Sequence, residues 1–177
     1  KYAITAGSKI SFYASAQDES YPYEHFALAV SSAGNTSASD FTSISEWTFA
    51  GKGTCQGERS LRQTAWVKYE VDLSEYAGQE LWLAIRHFDC TDQYFLDIDD
   101  IEVVVGGGGN NDDDDDDPIE SMSWDFESGL DGWTSIDADG DAYAWEHNVD
   151  YGLTGDGAYG NNGSTGFVFS QSYDNYF

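Results

Sequence analysis

The stretch GGGGNNDDDDDDP, residues 106–118, divides the chain into two unequal parts. Its glycines remove backbone restraint, its asparagines favour turns, and its consecutive aspartates repel one another. A segment of this composition cannot bury a hydrophobic core, so it is a linker. The sequence therefore separates residues 1–105 from residues 119–177.

The chain is strongly acidic. Only 7 Lys and Arg stand against 33 Asp and Glu, which gives a net charge of −26 over 177 residues. Such a charge repels phosphate backbones and anionic lipids, and it favours divalent cations. Apolar runs stay well short of the roughly 18 residues that span a bilayer. We therefore expect neither a nucleic acid partner nor membrane insertion.

The first part of the chain has the two-residue periodicity of half-buried strands. The predicted strands are residues 9–16, 25–31, 41–49, 66–73, 81–88 and 95–105. Residues 81–88 are apolar on both faces, so we place them centrally in a sheet. The segment QDESYPYE, residues 17–24, carries acids and a proline and predicts an exposed loop. SEYAGQ, residues 74–79, predicts one helical turn that ends at Gly78.

The strand FLDIDDIEVVV, residues 95–105, changes phase at its centre. Leu96 and Ile98 are even-numbered, whereas the apolar residues from Ile101 onward are odd-numbered, so the alternation slips at Asp99 and Asp100. A β-bulge produces such a slip and can bring adjacent carboxylates towards one point. The alternative is a regular strand that is buried on both faces at its start and on one face at its end, with Asp99 and Asp100 in solvent.

After the linker, residues 122–126 alternate as a short opening strand and residues 167–172 form a final one, with glycine-rich loops over 151–166. No segment has helical periodicity of useful length. Either part alone would leave an open face and unpaired edges. The predicted fold is therefore all-β, a jelly-roll-like antiparallel β-sandwich split into two complementary fragments by the acidic linker.

Several long motifs carry a family resemblance. The runs FESGLDGWTSIDADGDAYAW (126–145), GAYGNNGS (157–164) and SQSY (170–173) resemble the start of the cleaved-adhesin, or choice-of-anchor J, jelly-roll module of gingipains and haemagglutinins. Residues 6–32 and 71–103 are similar to the remainder of the same module. The order differs from the family, because the module's beginning lies at 121–177 and its end at 1–105.

Two arrangements explain this order. The chain is either an out-of-phase window on a tandem array or a permuted module that closes on itself. Our hypothesis is that residues 121–177 of one copy complete the sandwich begun by residues 1–105 of the next copy, in a head-to-tail contact that can continue indefinitely. Packing of both halves against each other within one isolated chain would contradict this hypothesis and support permutation.

Calcium is the expected cofactor. The segment DADGD places the oxygen ligands of Asp137, Asp139 and Asp141 at alternate positions beside a glycine, although it lacks the glutamate that an EF-hand needs. The family resemblance implies a structural calcium held by Glu127 with Asp99 or Asp100. Solvated acidic loops are the alternative for both groups.

The chain contains two cysteines, Cys55 and Cys90, without a CxxC motif or a paired histidine spacing. Because an acidic chain rich in Gly, Ser and Thr has an extracellular character, a disulfide between them is expected over a metal or redox site. Two buried, unpaired thiols are the other interpretation.

Catalysis is not expected, because the sequence contains no GxSxG, no HExxH and no local Cys and His signature. His25 and His87 are interpreted as strand-edge or packing residues. Aromatic side chains in loops can stack on the apolar faces of sugars, although core packing is the alternative for each. The candidates are Tyr21, Tyr23, Tyr143, Trp145 and Tyr159.

These features predict a non-enzymatic, secreted or cell-surface adhesin module that is stabilised by calcium. Its expected partners are other copies of itself, assembled head-to-tail into a filament. The alternative is a lectin-like module that binds glycans or surface proteins.

Overall fold

Two antiparallel sheets pack face to face in the computed structural model, which describes residues 1–49, 63–106, 120–140, 142–154 and 159–173. The strands in chain order are β1 (Tyr2–Ala3), β2 (Lys9–Ala16), β3 (His25–Ser31), β4 (Thr42–Thr48), β5 (Val67–Asp72), β6 (Glu80–His87), β7 (Phe95–Val105), β8 (Glu120–Trp124), β9 (Glu146–His147) and β10 (Val168–Gln171). The first sheet has the order β1-β6-β3-β4. The second has the order β5-β2-β7-β10-β9, and β8 also pairs with β7.

Helical structure is confined to short turns in the described residues. They are α1 (Asn148–Tyr151) and three 3-10 turns, Ala38–Asp40, Ser74–Tyr76 and Asn161–Gly163. The predicted turn near Gly78 is confirmed, and Gly78 has a φ of 87°, which a side chain rarely adopts. No helix in the described ranges has the length and apolar character to cross a bilayer.

The predicted strands of both fragments are confirmed, with ends that differ by one or two residues. The two-residue strands β1 and β9 are not predictable from periodicity, because they are shorter than one full alternation. The central position expected for residues 81–88 is also confirmed, since β6 lies between β1 and β3. The chain is thus an all-β antiparallel sandwich, as predicted.

The core lies between the two sheets and is formed by the inward residues of each strand. Phe12 and Phe26, from opposite sheets, meet edge to face with their ring centroids 6.3 Å apart. Such aromatic pairs add stability beyond the area that they bury. The largest fully buried side chains in this cluster are Ile4, Ile10, Phe12, Phe26, Leu28, Leu73, Leu96, Ile98, Ile101 and Phe126.

The predicted bulge in β7 is confirmed. Along the pairing of β2 with β7, Ser11 lies opposite Glu102 and Tyr13 lies opposite Asp99, so the register shifts between them. Asp100, at the shift, has a left-handed φ of 46°. The extra residue switches the inward side of β7 from even to odd numbers, which explains the phase change in the sequence.

Both fragments close into one sandwich within the same chain. On one edge of β7, β10 pairs with the N-terminal half and β8 pairs with the C-terminal half. Val105 lies directly opposite Glu120, so the connection through residues 106–119 joins neighbouring strand ends. Closure within one chain is the packing that supports the permuted arrangement over head-to-tail completion between copies.

Candidate functional site

The bulge in β7 brings Asp99 and Asp100 to a glycine-bounded loop, residues 160–166. The main-chain N–H of Asn161 and the hydroxyl of Ser164 donate to Asp99 Oδ2 at 2.7 and 2.8 Å. The side chain of Asn161 donates to Asp100 Oδ2 at 2.8 Å. Burial raises the pKa of Asp99 to about 7, although these hydrogen bonds act in the opposite direction. The two carboxylates therefore hold one loop, as a bulge allows.

Glu127 holds the same loop from its other end. The main-chain N–H groups of Thr165 and Gly166 donate to Glu127 Oε1 at 2.8 and 2.9 Å, and Thr165 Oγ1 donates to Oε2 at 2.6 Å. These hydrogen bonds lower the pKa of Glu127. The residues implied by the family resemblance are thus gathered around residues 160–166.

The segment DADGD forms a loop that is capped by its own first residue. Asp137 accepts the main-chain N–H of Gly140 at Oδ1 and that of Ala142 at Oδ2, at 2.8 and 3.1 Å. These bonds lower the pKa of Asp137. Asp139 is exposed, and Asp141 lies outside the described residues. Calcium binding by this loop stays a prediction.

A cleft lined by tryptophans opens between the sheets. Trp82, Trp124, Trp133 and Trp145 line it, which is four of the six tryptophans of the chain. Each is half-buried, and the rings of Trp124 and Trp133 meet edge to face at 5.6 Å. The cleft has a volume of about 380 Å³.

Two buried polar atoms of residues that line the tryptophan cleft lack a hydrogen-bond partner among the described residues. Trp133 Nε1 and Ser135 Oγ are buried and make no hydrogen bond to any described residue. Buried donors normally have a partner, so an unpaired pair beside an open cleft is unusual.

The aromatic residues predicted as ligand contacts do not form one site. Trp145 lines the tryptophan cleft and a second cleft beside it, and Tyr143 lines only the second. Tyr21 and Tyr23 are exposed in the loop between β2 and β3, and Tyr159 accepts a hydrogen bond from Trp66 Nε1 at its carbonyl. Sequence reasoning did not identify Trp82, Trp124 and Trp133, because they come from separate strands and loops.

A buried polar cluster lies at the edge of the second cleft. Glu24 is fully buried, and Gln17 and Pro22 are buried as well, so the exposed loop predicted for residues 17–24 is wrong at these three residues. Its Oε1 accepts from the main-chain N–H of Tyr94, and its Oε2 accepts from Ser172 Oγ at 2.7 Å. His87 Nε2 lies 2.9 Å from Glu24 Oε2 and 3.2 Å from Cys90 Sγ. These partners are far apart in sequence, so no local motif could predict the cluster.

Cys90 belongs to this cluster. Its sulfur lies 3.5 Å from Glu24 Oε2. Burial, together with the negative charge of Glu24, raises the pKa of the Cys90 thiol to about 12. Cys90 has a free thiol in the structure, and Cys55 lies outside the described residues, so the disulfide stays a prediction.

Comparison with known proteins gives one consistent result. The family model of the Cleaved Adhesin Domain matches residues 1–103 and 120–177. Gingipain R1 of Porphyromonas gingivalis is 34% identical over 146 residues, which cover 78% of this chain and 8% of that protein. Hemagglutinin A of the same species is 31% identical over 152 residues, which cover 81% of this chain and 6% of that protein.

Two solved structures are also similar. The K1 Cleaved Adhesin domain of Lys-gingipain from Porphyromonas gingivalis W83 is 36% identical, covers 60% of both chains and has a TM-score of 0.49. The K3 domain of the same protein is 32% identical, covers 59% of this chain and 60% of its own, and has a TM-score of 0.48. The present chain spans less than a tenth of the length of the gingipains that it matches.

Proposed function

Since the chain belongs to the Cleaved Adhesin Domain family, we propose that it is a non-catalytic adhesion module that binds carbohydrate in the tryptophan cleft. One observation carries the proposal. The cleft combines four indole rings with two buried polar groups, Trp133 Nε1 and Ser135 Oγ, that have no partner among the residues that the structure describes. The match to an adhesin family supports adhesion as the general role.

The chemistry of the cleft suits a sugar. Indole rings stack on the apolar faces of pyranose rings, while a small number of fixed polar groups bind the hydroxyls. The volume of about 380 Å³ lies near the lower end of the range for small-molecule sites, and it suits one or two sugar rings at the end of a glycan. Trp133 Nε1 is covered in the unliganded structure, and a small shift of the cleft wall on binding would let a sugar hydroxyl accept from this buried N–H and give it a partner.

A glycan array followed by calorimetry tests this proposal. The wild-type chain should give a saturable hit, and Trp133→Phe, which keeps an aromatic ring but removes the indole N–H, should weaken it by roughly tenfold, the equivalent of one lost hydrogen bond. Tyr21→Ala and Tyr23→Ala are the controls, since both side chains are exposed away from the cleft. Absence of any hit, or a hit that depends on Tyr21 or Tyr23 instead, would contradict the proposal. A hit on a protein array alone would support the alternative of a host-protein ligand.

Structural calcium at Asp99, Asp100 and Glu127 is a further part of the proposal. The three carboxylates surround one loop, and no Lys or Arg of the described residues forms an ion pair with them. Hard oxygen ligands of this kind suit calcium, which would balance their charge and fix the loop.

Calcium titration of metal-stripped protein tests this part. Adding calcium should raise the thermal midpoint of the wild type and have a much smaller effect on Asp100→Asn. Asp150→Asn removes an exposed carboxylate outside both acidic groups, and this control should respond as the wild type does. An equal midpoint with and without calcium in the wild type would remove calcium from the proposal.

Assembly between copies remains a second candidate. The connection over residues 106–119 joins adjacent strand ends, for which about two to five residues are usual. Its extra length would allow residues 119–177 to pair with β7 of a neighbouring copy through the same contacts that close one chain. If every copy gives its fragment 119–177 to the next copy, the copies would form an open, head-to-tail assembly.

Light scattering at increasing protein concentration tests this assembly. Wild-type protein should form multimers whose share grows with concentration, because each exchanged fragment joins one copy to the next. A wild type that remains monomeric at every concentration would exclude head-to-tail assembly. In either case we propose that the module acts outside the cell, where its strong negative charge keeps it soluble.

A further inference from the structure

We propose that Glu24, His87 and Cys90 form a binding site for one zinc ion. In the described part of the chain, these residues form a group in which one ligand atom from each lies within 4.8 Å of the others. The site is distinct from the tryptophan cleft and from the three carboxylates around residues 160–166, and it does not depend on the proposed carbohydrate binding.

The three ligand atoms converge on one point. The distances are 2.9 Å from Glu24 Oε2 to His87 Nε2, 3.2 Å from His87 Nε2 to Cys90 Sγ, and 3.5 Å from Cys90 Sγ to Glu24 Oε2. Around a tetrahedral zinc ion such atoms lie roughly 3.3–3.6 Å apart, given bond lengths of about 2.0–2.3 Å. The triangle therefore has to open by less than about 0.5 Å at any side to admit the ion.

This geometry differs from that of a catalytic triad. In a triad the nucleophile and the acid bind opposite nitrogens of the imidazole ring. Here the thiol and the carboxylate both lie against Nε2 of His87. Convergence on a single nitrogen is the arrangement of ligands around a metal ion and gives no path for proton relay.

The surroundings orient each ligand. His87 Nδ1 lies 2.9 Å from Ser170 Oγ, which can accept its N–H and leave Nε2 free for a metal. The main-chain N–H of Tyr94 fixes Glu24 Oε1 at 2.8 Å. The side chains of His87 and Glu24 are 4% and 0% exposed, so the site is preformed and shielded.

Charge and access also favour a divalent, thiophilic ion. A carboxylate, a thiolate and a neutral imidazole together carry two negative charges, which zinc neutralises in a buried site. The second cleft, about 590 Å³ in volume, is lined by His87, Cys90 and Ser172 and gives water a route to a fourth coordination position. All three ligands belong to the first fragment, and the second fragment contributes Ser170 and Ser172, whose hydroxyls contact His87 and Glu24.

Cobalt spectroscopy on the full chain tests the site directly. The protein is reduced, stripped of metal and titrated with Co²⁺, which replaces zinc and gives a thiolate charge-transfer band only when sulfur is a ligand. The wild type and Cys55→Ser should each show this band at one equivalent, and zinc should abolish it. Cys90→Ser should lose the band. His25→Gln should keep it, because the His25 ring lies beside Thr48 and only its main-chain carbonyl, which the substitution leaves in place, contacts Cys90.

Affinity provides a second readout. Ser170→Ala leaves all three ligands in place, and it should weaken zinc binding by about 10–100-fold because His87 loses the partner that orients it. Excess calcium should not displace the cobalt. A folded wild type without the charge-transfer band, a band that survives in Cys90→Ser, or a band that disappears in Cys55→Ser would each overturn the proposal.

Discussion

Tyr69 shows how a single polar group is accommodated in the aromatic centre of the sandwich. Its ring stacks on Phe12 at 5.6 Å and meets Phe26 and Trp47 edge to face at 5.1 and 5.0 Å. Burial raises the pKa of the Tyr69 phenol above its usual value of 10. The folded state therefore retains a proton that the unfolded state releases.

This shift predicts an alkaline loss of stability. Because the pKa of the Tyr69 phenol is raised in the folded state, its contribution to the free energy of unfolding is complete below pH 10. That contribution declines as the pH rises above 10. In urea unfolding between pH 8 and 11, Tyr69→Phe should lose less stability above pH 10 than the wild type does. The exposed Tyr21 provides the control, and Tyr21→Phe should follow the wild type. Parallel curves for Tyr69→Phe and the wild type would show that the phenol titrates alike in both states.

Glu24 marks the limit of sequence reasoning at this scale. Neighbouring acids and a proline predict an exposed loop, yet its carboxylate is buried against Ser172 and His87. These partners come from β6 and from the segment after β10, far along the chain. A local sequence pattern indicates only how polar a segment is. It cannot show that Ser172 and His87 contact the Glu24 carboxylate, because the fold brings them there from distant parts of the chain.

β7 is the element that organises the second sheet. It pairs with β2 along one edge and with both β10 and β8 along the other, and its bulge at Asp100 separates these two partners. The bulge could be predicted from the change of phase between Ile98 and Ile101. The loop that fills the gap could not, because glycine-rich sequence indicates only that residues 151–166 are irregular.

Gly166 makes that loop sensitive to substitution. A Cβ at this position would lie 2.2 Å from the carbonyl oxygen of Phe126, a main-chain atom that cannot move aside easily. Gly166→Ala should therefore lower the free energy of unfolding by about 1–3 kcal/mol, as overpacking usually does. Chemical denaturation measures the change.

Gly34 provides the matched control for this substitution. A Cβ there would lie 3.1 Å from a carboxylate oxygen of Asp40, at the end of a flexible side chain. Gly34→Ala should leave stability nearly unchanged. Equal effects of the two substitutions would show that the loop relaxes around Gly166 and does not fix the strands beside it.

The whole molecule is one sandwich built from two fragments. Their complementarity could be predicted from the sequence, since each part alone leaves strand edges unpaired. The tryptophan cleft could not, because Tyr2 and Trp82 lie in the first fragment and Trp124, Trp133 and Trp145 in the second. The proposed binding site exists only when both fragments are closed.

Closure can be tested by cutting the linker. A specific protease site placed within residues 107–117 should yield two fragments that remain associated, because β8 and β10 still pair with β7 and their apolar faces stay buried. The cut protein should elute as one species and separate only in denaturant. Separation under native conditions would mean that the connection, and not the packing, holds the fragments together.

The most direct test of carbohydrate binding follows the indole N–H signals of the six tryptophans in a proton–nitrogen NMR correlation spectrum. On titration with the best glycan from the array, the signals of Trp82, Trp124, Trp133 and Trp145 should shift together. Trp47 and Trp66, which do not line the cleft, should stay in place. A saturable glycan that leaves the four cleft signals unchanged would place binding elsewhere and contradict the proposed site.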